Sequence, residues 1–181
     1  MKGGDIAAVS ALEQEIFRDP WPQTAYIQEV LFNSEAHYFV LESRPVQRPA
    51  SRWLWKKRAS RRIYGFVGLR ANLEPGHIST LAVHPAWRGH GWGELLLITV
   101  LAEALEIGLT NVTLEVRASN WIAQSLYRKY GFQVSERKSH YYRDGEDALL
   151  LIADITGARY REQLATQRQR LREKHVSVLA S

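Results

Sequence analysis

The sequence contains no cysteine. That excludes disulfide bonds, thiolate metal sites and a covalent cysteine intermediate, and it agrees with a reducing compartment, the cytoplasm. Long apolar runs are missing too. No stretch reaches the ~18 uninterrupted apolar residues of a membrane helix, so no membrane partner is expected. The start of the chain does not read as a signal peptide, because Met1 to Phe17 carries Asp5, Glu13 and Glu15 among its apolar residues. The six histidines show no pair at metal-ligand spacing, and no Gly-x-Ser-x-Gly elbow is present. Neither a metal centre nor a serine hydrolase is expected. Internal repeats are absent as well. The 181 residues, 45% hydrophobic and 24% charged, are of ordinary globular composition and suit one domain with appendages.

What the chain does have is unevenly placed charge. Residues 43–63 hold eight Lys or Arg and no acid, while residues 157–181 hold six basic residues against two acidic ones. Setting those segments aside leaves −7 on the body of a chain whose net charge is +5. The basic character therefore belongs to an insertion and a tail. The insertion includes Arg52-Trp-Leu-Trp-Lys-Lys-Arg58, where Trp53 and Trp55 alternate with basic residues. Such a segment is either a solvated loop or a contact for nucleic acid, combining phosphate pairing with stacking.

Periodicity divides the chain into alternating elements. Asp5 is placed to cap a first helix with apolar positions Ile6, Val9, Leu12, Ile16 and Phe17, stopped by Asp19-Pro20-Trp21-Pro22. A second short helix is expected over Thr24 to Phe32. Strands are expected over His37–Leu41, Arg62–Leu69, Gly76–His84, Asn111–Val116, Phe132–Arg137 and Ala148–Ile155. Helices are expected over Gly93–Ile107, apolar on almost every side, and over Asn120–Tyr130; the last 25 residues read as a helix with Tyr160, Leu164 and Leu171 on a weak stripe. This order predicts an α/β (α+β) class with a single mixed, mostly antiparallel sheet flanked by helices. The predicted division is a domain over 1–155, carrying the insertion 43–63, and a basic helical tail over 156–181.

The most informative segment is Leu81-Ala-Val-His-Pro-Ala-Trp-Arg-Gly-His-Gly-Trp-Gly93, a strand running into a glycine-rich turn that opens a helix. Gly89, Gly91 and Gly93 let a ligand approach the backbone, the helix start favours phosphate, and Arg88 adds a positive charge. Alternatively the glycines serve only the turn. No Lys-Ser/Thr pair follows, and the spacing is not that of a dinucleotide fingerprint, so a nucleoside triphosphate is not the expected ligand.

Arg88, Gly91 and Gly93 fill a pattern that resembles the pyrophosphate loop of the GNAT superfamily of N-acetyltransferases. The resemblance continues through Thr113-Leu-Glu-Val-Arg-Ala-Ser-Asn120 and Ser125-Leu-Tyr-Arg-Lys-Tyr-Gly-Phe132. It ends in His140-Tyr-Tyr-Arg-Asp-Gly-Glu-Asp-Ala148, which looks like the ribosomal-protein-alanine N-acetyltransferase branch, commonly called RimI. The resemblance covers roughly residues 5–155. The resemblance implies acetyl-CoA as co-substrate and no metal. Leu81, Ala82 and Val83 would offer backbone groups to the pantetheine arm; Arg88, Gly89, His90, Gly91, Trp92, Gly93 and Glu94 would hold the pyrophosphate; Asn120 would touch the cofactor where two strands part. It further implies Glu115 as general base and Tyr127 as general acid, and an acceptor that is a protein N-terminus, most directly the N-terminal alanine of a small-subunit ribosomal protein.

On pattern alone Glu115 is equally a solvated strand carboxylate and Tyr127 a packing residue in a helix. Tyr141 and Tyr142 are either core strand residues or the border of a peptide groove. A lysine or small-molecule amine acetyltransferase would show the same cofactor motifs, and a ribosome- or nucleic-acid-binding module would use the insertion instead. One departure stands out: members of the superfamily usually begin with a strand, whereas only Met1 to Gly4 precede the first helix. Either that edge strand is missing or the start is trimmed.

Overall fold

The structure is a computed structural model that describes residues 1–43, 62–72 and 74–179; the Trp53 and Trp55 segment of the insertion lies outside the described residues. Helices α1 (Ile6–Ile16) and α2 (Gln23–Ile27) come first, and α2 runs directly into a π-helical turn, Gln28–Phe32. The expected single helix to Phe32 is thus split. Strands β1 (Ala36–Glu42), β2 (Ile63–Arg70) and β3 (Gly76–Val83) follow, then α3 (Trp92–Glu106), β4 (Asn111–Arg117), α4 (Trp121–Lys129), β5 (Gln133–Lys138), β6 (Ala148–Asp154) and α5 (Ala158–Leu179).

The described strands form one sheet in the order β1-β2-β3-β4-β6-β5. Only β3 and β4 are parallel neighbours, and their pairing is confined to Gly76–Val112 and His77–Thr113. Beyond that point the two strands part. Parallel neighbours need a crossover, and α3 supplies it. Its apolar circumference explains its position: Leu97, Ile98, Val100 and Leu101 are inaccessible to solvent and pack with Val112, Leu114 and Val116 of β4. At about 1.5–3 kcal/mol per fully buried large apolar side chain, this face is the main source of stability. Leu164 and Leu171 of α5 join the same core, and Tyr160 packs against it.

The other face of the sheet is covered by α1 and α2. There Val9, Tyr26 and Phe66 are fully buried, Tyr26 meeting Tyr38 and Phe66 edge-on at 6.0 Å. A buried carboxylate sits in this layer. Glu13 accepts the Tyr26 hydroxyl at 2.8 Å and the Trp21 N–H at 3.1 Å, which holds the segment between α1 and α2 in place. Asp5 does not cap α1 as expected. A short 3₁₀ turn, Gly3–Asp5, puts it already in helical conformation, and its carboxylate reaches back to the Lys2 N–H at 2.8 Å. Among the described residues no helix is long and apolar enough to cross a membrane, and no cluster of His, Asp and Glu has the composition of a metal site.

Candidate active site

Backbone direction along β3 determines which groups face the gap beside β4. The His84 N–H bonds to Tyr64 O at 2.7 Å on the β2 side. Strand alternation then turns Ala82 toward β2 and Leu81 and Val83 toward the gap. Of the three expected backbone contacts, two therefore face the open edge and Ala82 is committed to the sheet. The Val83 carbonyl accepts the Arg88 Nε–H at 3.0 Å, so Arg88 braces the loop as well as charging it. His84 pairs with Glu15 of α1 at 3.0 Å, and His90 bonds the Arg88 carbonyl at 2.8 Å.

The turn itself requires glycine at two places. Gly89 and Gly91 have φ of 79° and 88°, the left-handed region that side chains disfavour. Gly93 leaves an open surface instead: a Cβ there would meet only Val83 Cγ2, at 3.8 Å. Trp92 opens α3, and the Leu95 N–H makes the i to i−4 bond to Gly91 O at 3.0 Å. Glu94 does not point its charge at this surface. Its carboxylate takes Lys129 Nζ at the end of α4 and the hydroxyl of Tyr130 just after it, while its backbone belongs to the helix start that favours an anion. Asn120 stands exposed at the start of α4, where its side-chain oxygen accepts the Ala123 N–H at 3.2 Å. Together the open strand edge, the glycine turn and the start of α3 make a cradle for a pyrophosphate-bearing ligand with an extended arm.

On the α1–α2 face, Thr113, Glu115 and Arg117 of β4 project together. Glu115 has two nitrogen partners that the sequence reading missed, His77 Nε2 at 3.1 Å and Lys138 Nζ at 2.8 Å. The hydrogen bond from His77, aided by that from Lys138 and by both charges, outweighs burial and holds the Glu115 carboxyl at about 2. Arg117 was also missed. It binds Asp144 and Glu146 of the β5–β6 loop at 2.9 and 2.7 Å, and its guanidinium lies 3.9 Å over the Tyr142 ring. Arg143 extends from the same loop to Asp19 at 3.6 Å. This ionic web ties the loop to the segment between α1 and α2.

Tyr141 and Tyr142 belong to that loop and not to a strand. Their rings meet edge-on at 5.2 Å; Tyr141 is exposed, whereas Tyr142 is half-buried and its phenol is pushed up to about 12, mainly by burial. Tyr127 lies on the inner side of α4, 7% exposed, its ring 5.8 Å from Phe132. Burial, and then the neighbouring Tyr142, push its phenol up to about 12. Its hydroxyl has no hydrogen-bond partner among the described residues. Tyr142 acts on Tyr127, and Glu115 acts on Tyr142, so the carboxylate of β4 and the phenol of α4 share a neighbour in the β5–β6 loop.

Residues 6–132 match the acetyltransferase (GNAT) family. Over 156 residues the chain is 32% identical to a Bacillus subtilis (strain 168) protein provisionally named as a ribosomal protein bS18-alanine N-acetyltransferase, with 86% of this chain and 93% of that one covered. It is 30% identical over 156 residues to an N-alpha-acetyltransferase of Sulfolobus acidocaldarius, covering 83% and 88% of the two chains. Among solved structures, the ribosomal-protein-S18-alanine N-acetyltransferase from Escherichia coli superposes with a TM-score of 0.69 at 25% identity, over 87% of this chain and 92% of that one. With its sheet parted between β3 and β4 and its glycine turn at the start of α3, the chain belongs to the GNAT family and is an acetyl-CoA-dependent N-acetyltransferase.

Proposed function

We propose that this enzyme acetylates the α-amino group of a protein N-terminus, most directly the N-terminal alanine of a small-subunit ribosomal protein. The observation that supports the reading is Glu115 standing on β4 just where β3 and β4 part, beside the Tyr141–Tyr142 loop that Arg117 fastens. The named substrates of the Bacillus subtilis and Escherichia coli relatives point the same way. Acetyl-CoA supplies the activated acetyl group as a thioester. Leu81, Val83, the turn from Arg88 to Gly93, the Glu94 backbone and Asn120 hold it. Glu115 draws a proton from the acceptor ammonium, and the freed amine forms the new C–N bond as the C–S bond breaks. Tyr127 protonates the departing sulfur. Its raised phenol suits that task, because the burial that keeps it protonated also makes a thiolate beside it more basic. Tyr141 and Tyr142 border the groove for the acceptor chain.

The body's charge of −7 outside the two basic segments draws a basic ribosomal tail toward the site. Residues 1–155 form the transferase unit and 156–181 a basic helical addition. In the cytoplasm, the insertion at 43–63 either contacts ribosomal RNA on the assembled particle or takes no part in acetylation, and only the first makes catalysis on the particle depend on it. The test offers one peptide with a free N-terminal alanine and a matched peptide whose N-terminus is blocked but which carries a lysine, with products read by mass spectrometry. Acetylation of the free N-terminus is expected, and it should survive deletion of residues 46–60. Preferential acetylation of the blocked peptide would overturn the acceptor assignment in favour of lysine.

A further inference from the structure

Two residues beyond Glu115 on β4 stands Arg117, and strand alternation puts both on the face that meets α1 and α2, about 7 Å apart along the strand. Two segments of the chain meet over it. One is the β5–β6 loop with Tyr141 and Tyr142; the other is residues 17–22, between α1 and α2. Arg117 reaches both. Its Nη1 lies 2.9 Å from Asp144 and 2.7 Å from Glu146, its Nη2 lies 4.0 Å from Asp19, and its guanidinium stands 3.9 Å over the Tyr142 ring.

Backbone bonds secure the base of the β5–β6 loop. The Ala118 N–H bonds to the Asp147 carbonyl at 3.0 Å, and the Ser119 N–H to the Glu146 carboxylate at 2.9 Å. The tip closes on itself, with the Gly145 N–H on the Tyr142 carbonyl at 2.8 Å, so its links to the rest of the protein run through side chains. Two of these links, Arg18 to Asp144 at 3.2 Å and Arg143 to Asp19 at 3.6 Å, use arginine side chains that are 81% and 90% exposed. Exposed pairs of this kind contribute little and are screened by salt. The Arg117 side chain is 23% exposed, and it is held between carboxylates and a ring. Its hydrogen bond is the chief reason that the Asp144 carboxyl lies below its ordinary value, so the pair stays ionised wherever an amine can react.

We propose that Arg117 is a positioning residue for the acceptor: by holding the β5–β6 loop to the segment between α1 and α2, it fixes the walls between which the acceptor chain lies and so sets the affinity for that chain. This rests on the reading of Tyr141 and Tyr142 as the border of the acceptor groove. Without the guanidinium, Asp19 of one wall faces Asp144 and Glu146 of the other with nothing between them but the two exposed arginines. The like charges repel, and Tyr142 loses the cation over its ring. Walls that must be ordered anew for each acceptor bind it more weakly. None of these contacts involves the turn from Arg88 to Gly93, the Glu115 carboxylate or the Tyr127 hydroxyl. The loss therefore falls on acceptor affinity, and acetyl-CoA binding and the chemical step are largely spared.

The test is steady-state kinetics with both substrates varied, on a peptide with a free N-terminal alanine. Wild type is compared with Arg117→Gln, Arg117→Lys, Asp144→Asn, the Arg117→Gln/Asp144→Asn double variant and Tyr141→Ala, with thermal unfolding as the check on folding. For Arg117→Gln the peptide KM is expected to rise about ten-fold or more, while kcat falls less than about three-fold and the acetyl-CoA KM stays near the wild-type value. Lysine returns the charge without the planar fork and should recover only part of the affinity. Asp144→Asn should also raise the peptide KM, and the double variant should be little worse than Arg117→Gln, because the two side chains act as one unit. If folded Arg117→Gln keeps the wild-type peptide KM while Tyr141→Ala raises it, the groove stands and the proposal fails alone. It fails likewise if Arg117→Gln lowers kcat by more than it raises the peptide KM. If Tyr141→Ala leaves the peptide KM unchanged, the reading of the groove fails, and the proposal with it. Should Arg117→Gln not fold, Arg117→Lys and Asp144→Asn decide: a wild-type peptide KM in both sinks the proposal.

Discussion

Removing the Tyr127 hydroxyl should move stability and activity in opposite directions. The ring is buried against Phe132, and the hydroxyl has no hydrogen-bond partner among the described residues. A buried polar group without a partner costs about 1–3 kcal/mol. Tyr127→Phe keeps the ring and its packing and removes that cost. Taking the low end, since 7% of the residue still meets solvent, the free protein gains about 1 kcal/mol. For a chain of this size that is a rise in Tm of roughly 2–4 °C. Turnover should fall ten- to ten-thousand-fold, because the departing sulfur loses its proton donor, while acetyl-CoA affinity stays near the wild-type value. Thermal unfolding without acetyl-CoA and thiol release during steady-state turnover measure the two effects. A Tm lowered by several degrees with turnover unchanged would make Tyr127 a packing residue and would refute both halves of the reasoning. Such opposition is expected where a polar group is kept for chemistry at the expense of the fold.

Other substitutions probe the remaining parts of the site. Gly91→Val places a β-branched side chain at φ 88°, a strain of about 1–2 kcal/mol or more, and should weaken acetyl-CoA binding at least ten-fold by calorimetry; a folded variant with unchanged affinity would show that the turn does not hold the pyrophosphate. Burial raises the Glu13 carboxyl above 4.5 despite its hydrogen bonds from Trp21 and Tyr26. Its stabilising contribution is therefore complete below that value and is lost as pH climbs through the raised one. Glu13→Gln removes this dependence, so in urea unfolding the variant should gain on the wild type as pH rises from the ordinary carboxyl value through the raised one. Curves that stay parallel over that range would argue against a strained carboxylate.

The turn proposed to hold the cofactor was legible because it is local. Arg88 to Gly93 is one turn, and its glycines report their own backbone angles. The chain order of β3, α3, β4 and α4 was readable from apolar spacing for the same reason. His77 and Lys138 were not, although they decide the state of Glu115. They come to it from β3 and β5, and their arrival depends on register: the Gly76–Val112 pairing on one side, and on the other a β5–β6 ladder with a shift between Val134 and Glu136. Register is a property of paired strands, and a shift of one residue would turn Lys138 to the opposite face. Arg117 was hidden differently. It stood within a recognised motif, but its carboxylate partners are Asp144 and Glu146 of the β5–β6 loop and, at 4.0 Å, Asp19 before α2, and sequence spacing says nothing about those contacts. Asp5 was misread because a cap must stand outside the helix, and the turn from Gly3 already places it inside.

The position of the site follows from a demand on the sheet. Because β3 and β4 run parallel, α3 must cross between them, and its N-terminus arrives at the carboxyl end of β3, beside the strand edge that Leu81 and Val83 leave open. The N-terminus of α4 arrives likewise just after the carboxyl end of β4, with Asn120 at its start. Two helix starts and an unpaired strand edge thus fall on one side of one gap, where a polyanion with an extended arm is best accommodated. Alternation along β4 sends Leu114 and Val116 into the α3 core and Thr113, Glu115 and Arg117 toward α1 and α2. The groups proposed to handle the acceptor's proton therefore stand on the opposite face from the crossover helix, and the parting of the strands is what joins the two faces. Had the β3–β4 pairing continued past His77 and Thr113, the sheet would be closed there, and no path would lead from the donor's reactive end to Glu115.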